Sequence, residues 1–200
     1  MFRQLLSTLA LAATVTFGAA PVVNAATPAN DNSLQAHGEL LQAVIDNGVR
    51  VYINPGHCGL EQFKGVAGFY VSQSRIFVVC QDNGKADGNM VEWTDNDLDT
   101  IRHEAQHMVQ DCKDGLGDNS LVNFFPVGDA PEGVITLQQF SSGVLSLDEI
   151  GSIYSTYTSR GADMHTVLLE IEAFAVARAV PASSITAALN NVCSVDHTAE

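Results

Sequence analysis

Five consecutive residues, His103-Glu104-Ala105-Gln106-His107, are where chemistry is first legible in this chain. On an α-helix residues i and i+4 share a face, so the two imidazoles can converge on one divalent ion while the intervening carboxylate reaches a water on that ion. Imidazole is a zinc ligand, and a carboxylate beside zinc-bound water is a general base, so the pattern points to zinc and to hydrolysis. Chance alone would place such a pentapeptide in roughly one chain of this size in a hundred. The flanking residues therefore matter.

They predict that the motif lies inside a helix. Thr94 followed by Asp97 has the spacing of an N-cap, and Asp95, Asp97 and Asp99 place negative charge where the helix dipole favours it. Leu98, Ile101, Ala105, Met108 and Val109 recur at three- and four-residue spacing, and no Pro or Gly intervenes before Gly115. The polar, Gly-containing stretch from Lys113 to Ser120 supplies a stop. Gln110, one turn beyond His107, could hydrogen-bond near the site but reads rather as part of a solvated face.

A catalytic zinc takes three protein ligands and keeps one position for water, so two histidines are incomplete. The H-E-x-x-H-x-x-G-x-x-H extension is excluded, because positions 110 and 113 are Gln and Lys. Downstream, residues 166–180 read TVLLEIEAFAVARAV, an apolar helix pattern that carries Glu170 and Glu172. A carboxylate among buried residues needs a partner, and a metal on the upstream helix would provide one. Glu170 and Glu172 are the leading candidates for the third ligand, with Asp163 behind them.

With these two helices the chain resembles the gluzincin class of zinc metallopeptidases, in which a helix bearing H-E-x-x-H is joined by a glutamate from a later helix, often in E-x-x-A-D or E-x-E-A. Glu170-Ile171-Glu172-Ala173 is similar to the second form. The resemblance implies a zincin-like fold and zinc held by His103, His107 and Glu170, with Glu172 as the alternative ligand and Glu104 as the general base. It also implies peptide or protein substrates. One departure is Phe174, where the class often carries an acid that supports a ligating histidine; Glu172, Asp163 or a backbone carbonyl is then left for that task. Tyr154, Tyr157 and His165, near Glu170 in sequence, are candidates to donate to the oxyanion. The alternative is a secreted zinc-binding interaction or effector protein without general protease activity, a reading that leaves Glu104 without a purpose.

The chain's start predicts export. Arg3, an apolar Ala- and Leu-rich run to Ala20, and Val23-Asn24-Ala25 have the form of a signal peptide over residues 1–25. Residues 26–200 are then one domain, long enough for a substantial core. The four cysteines, Cys58, Cys80, Cys112 and Cys193, all lie in that part, and an even number in an oxidising compartment predicts two disulfides. The favoured pairing is Cys58 with Cys80, across adjoining strands, and Cys112 with Cys193. The formal charge of −14 becomes one unit more negative once Arg3 is removed. Such a surface disfavours nucleic acid and anionic membranes, and a secreted or periplasmic monomer is expected.

The predicted class is α+β: a small N-terminal antiparallel sheet, then the H-E-x-x-H helix, then a mainly helical C-terminal half. A first helix is expected over 34–47, and strands over 49–53, 68–71 and 75–80 with a turn at Ser72–Ser74. Later helices are expected over 136–140, 146–157, 162–179 and 183–191. The strand over 75–80 is the expected edge for an extended peptide. Between Gly115 and Gly133, Phe124-Phe125-Pro126 forms an apolar island that reads equally as a rim over the cleft or as a loop anchored to the core. Asp95, Asp97 and Asp99 lack the glycine and distal glutamate of an EF-hand.

Overall fold

The computed structural model describes residues 33–117 and 120–193; the expected signal peptide lies outside them. Helix α1 (Leu34–Asp46) starts where the Ser33 side chain accepts from the Ala36 amide. It buries Ala36, His37, Leu40, Ala43 and Val44, a stripe at three- and four-residue spacing. Strands β1 (Arg50–Ile53), β2 (Gly68–Val71) and β3 (Ile76–Val79) follow. Then come α2 (Asp95–Asp114), α3 (Leu137–Val144), α4 (Leu147–Ser159), α5 (Met164–Ala179) and α6 (Ala182–Val192).

The sheet is mixed, which corrects the antiparallel expectation. Its order is β1-β3-β2, with β1 parallel and β2 antiparallel to β3. The hairpin is as the sequence predicts: Ser72–Ser74 form a 3₁₀ turn and Arg75, at φ 50°, closes it in the left-handed region. What differs is adjacency. Ile76-Phe77-Val78-Val79 is the most apolar strand and lies centrally with Phe77 and Val79 fully buried, while residues 54–67 carry the chain across the sheet end. The expected edge strand over 75–80 is thus the central one, and β2 is the edge that packs against α2.

Three of the later helices carry reciprocal capping boxes. Thr94 and Asp97 open α2, Thr136 and Gln139 open α3, and Ser146 and Glu149 open α4. The principal core joins α1, α2, α6 and the sheet through Leu40, Val44, Phe77, Ile101, Met108, Val109, Ile185 and Leu189. A second cluster, Leu145, Ile153, Val167, Ile171 and Ala175, lies among α3, α4 and α5. Helix α5 contributes Val176 to the first cluster and Val167, Ile171 and Ala175 to the second. A helix wedged between two cores is apolar on most of its circumference, which is why residues 166–180 are so hydrophobic.

Disulfides join Cys58 to Cys80 and Cys112 to Cys193, the pairing expected, with Cα–Cα separations of 5.6 and 5.0 Å. They agree with an oxidising compartment. Among the described residues no helix is long and apolar enough to cross a membrane.

Candidate active site

Helix α2 presents His103, Glu104 and His107 from its middle turns, and α5, packed along it, brings Glu170 to the imidazoles. Glu170 Oε2 lies 3.2 Å from His103 Nε2, and Oε1 lies 3.5 Å from His107 Nε2. The two Nε2 atoms are 3.2 Å apart. Zinc–ligand bonds of about 2.0–2.15 Å arranged tetrahedrally give ligand–ligand edges of about 3.3–3.5 Å. The three side chains therefore already outline one face of a coordination tetrahedron. Glu170 Oε2 is buried with the His103 ring nitrogen as its near polar neighbour, so the pocket holds a carboxylate oxygen with a lone pair still to satisfy. This donor set fits zinc.

The electrostatics belong to a closely coupled group. Burial opposes charge on His107, but the hydrogen bond to Glu170 and the charges of Glu170 and Glu104 outweigh it and take its pKa up to about 9. Burial likewise acts to raise Glu170, yet hydrogen bonds from His103 and His107 hold it well below the usual carboxylate range. Glu104, 6 % exposed, is pushed upward by desolvation, against the pull of the two histidines. A buried carboxyl with a raised proton affinity thus lies beside a His-His-Glu group that could hold a metal ion. The Tyr70 amide of edge strand β2 pulls the same way as the histidines, and a Cβ on Gly68 would lie 3.2 Å from Glu104 Cγ, so this carboxyl lies against the strand.

Glu172 is not part of the His103-His107-Glu170 group. Fully buried, it accepts from Gln106 Nε2, Gln110 Nε2, Asn123 Nδ2 and the amides of Phe124 and Phe125. That geometry makes it a poor ligand and corrects its place as the alternative. Asp163 is distant in role as well: it caps α5 by accepting from the Thr166 amide and hydroxyl, and these bonds hold its pKa low. Of the three oxyanion candidates, Tyr157 is at the site. Burial and the nearby charge of Glu170 raise its hydroxyl pKa. Tyr154 is exposed on α4, and His165 Nε2 bonds the Leu121 carbonyl. Phe174 packs edge-on against the His103 ring, 4.4 Å between centroids. The Phe124-Phe125 island is anchored, with both rings against the main core and Phe125 stacked on Phe140 at 4.4 Å.

Gln110 does not lie on the solvated face expected of it but makes a hydrogen bond at the site. Instead of facing solvent it is 0 % exposed, and its Oε1 lies 2.7 Å from His107 Nδ1. A signal was present: His103, Gln106, His107 and Gln110 fall at i, i+3, i+4 and i+7, a polar stripe at the spacing of a buried face. An open cavity of about 290 Å³ adjoins the site, walled by Leu145, Ile153, Tyr157 and Phe174, with Glu149 and Arg178 paired at it.

Residues 31–124 match the model of a Domain of unknown function (DUF8637). The match takes in α1, the sheet and the His103-Glu104-His107 helix and stops short of Glu170. No curated protein and no solved structure matches the chain.

Proposed function

We propose that the chain is an exported zinc-dependent peptidase of zincin-like architecture that hydrolyses peptide bonds with Glu104 as general base. The observation that carries this reading is the triangle of His103 Nε2, His107 Nε2 and Glu170 oxygens, with edges of 3.2, 3.2 and 3.5 Å, beside a buried carboxyl. Zinc bound there would acidify a coordinated water and polarise the scissile carbonyl. Glu104 takes the proton of the attacking water and delivers it to the leaving amine. The nearness of Glu104 to β2 supports a substrate bound in extended form along that strand's free edge by main-chain bonding. The Tyr157 hydroxyl, beside Glu170, donates to the developing oxyanion, while the adjoining cavity receives an apolar side chain flanking the cleaved bond.

The test is Glu104→Gln in the zinc-loaded protein, assayed on a mixed peptide library. Retained zinc with cleavage reduced at least about a hundredfold is expected. Cleavage at the wild-type rate would remove Glu104 from the mechanism, and no cleavage of any peptide by wild type would refute the peptidase reading.

A further inference from the structure

Glu172 takes no part in the reaction just proposed, yet it is buried as deeply as any side chain in the protein. We propose that it is a positioning residue for the metal site, acting on His107 through the amide of Gln110; the inference rests on the zinc reading. A histidine that ligates through Nε2 must carry its proton on Nδ1 and needs an acceptor for it. Gln110 Oε1 is that acceptor, at 2.7 Å.

An amide can present either end, so something must fix which end faces the ring. The other end of Gln110 does so. Its Nε2 donates to the Leu169 carbonyl at 3.1 Å and to Glu172 Oε1 at 2.9 Å, both acceptors only. Turning the amide over would set its oxygen against these two oxygens and its NH₂ against His107 Nδ1. The imidazole proton would then sit on Nε2, where it blocks the metal. Glu172 cannot yield, because Gln106 and the 123–125 segment hold it with four further donors. The support is given to His107 alone: His103 packs against Phe174, and its own Nδ1 is buried with no hydrogen-bond partner.

Zinc affinity by chelator competition tests this, with folding followed by circular dichroism. Gln110→Ala and Glu172→Gln are each expected to weaken zinc about 10- to 100-fold, and the double variant to be no weaker than Gln110→Ala, because the second change acts only through the first. Asn123→Ala, which removes a loop donor from Glu172 without touching Gln110, is expected to bind zinc like wild type. If Glu172→Gln does not fold, Glu172→Asp, which retracts the carboxylate but keeps its charge, is read in its place. Losses that multiply in the double variant, an unmoved Glu172 variant, or an equal loss in Asn123→Ala would each overturn the relay. A wild-type chain that takes up no zinc would instead refute the zinc reading itself.

Discussion

Zinc uptake by this protein should depend on pH through His107. In the metal-free chain its pKa is about 9, because Glu170 and Glu104 hold the proton more strongly than burial expels it. Zinc must displace that proton. At pH 7, two units below, the displacement costs about 2.7 kcal/mol, an apparent affinity about a hundredfold weaker than with the ring already neutral. Apparent affinity should therefore rise about tenfold per pH unit between 7 and 9 and then level off. The assay is zinc titration against a competing chelator at half-unit intervals, with calorimetry in buffers of differing protonation heat to count released protons. A profile flat from pH 7 to 9 with no proton released would refute the reasoning. The same linkage acts on folding. The folded pKa lies above the ordinary 6.5, so this group's stabilisation of the metal-free chain is complete below pH 6.5 and lost as pH rises through about 9. The metal-free melting temperature should fall over that interval, and the zinc-loaded one should not follow it.

Two further outcomes are expected. Replacing Cys112 and Cys193 by Ser opens a loop of 81-residue separation and should cost about 4.5 kcal/mol by chain entropy, read by denaturant unfolding; the 22-residue separation of Cys58 and Cys80 gives about 3.4. A larger loss from the shorter loop would contradict that account. Gly68→Ala should cost about 1–3 kcal/mol, since its Cβ would lie 2.6 Å from Thr100 Cγ2, 2.7 Å from the Val78 carbonyl oxygen and 3.2 Å from Glu104 Cγ. With β2 displaced from α2, peptide cleavage should suffer more than zinc affinity; the reverse order would detach the strand from the substrate.

Local features of the fold were legible because local residues determine them. Thr94 and Asp97 close their capping box within one turn, and the apolar run over 166–180 falls largely in α5. Strand order was not legible. That β3 lies between β1 and β2 depends on the burial of Phe77 and Val79 against α1 and α2, and hairpin adjacency says nothing of it. Gln110 failed for a related reason. Its burial is satisfied by Leu169 and Glu172, about sixty positions away, and a polar helix residue without such distant partners is ordinarily at the surface. Glu172 looked like a ligand because an acid in an apolar run requires a partner, and five amide donors meet that requirement as well as a metal would.

Glu170 and Glu172 stand two residues apart on one rigid helix, one facing the imidazoles and the other gripping the backbone of Phe124 and Phe125. On the zinc reading proposed above, the loop and the metal would therefore share an anchor. A small molecule wedged beneath the Phe124-Phe125 segment would disengage Glu172 and free the amide behind His107, loosening zinc without entering the cleft. Inhibition could thus be sought on a face where chelating groups, which strip metals from unrelated enzymes, are not needed.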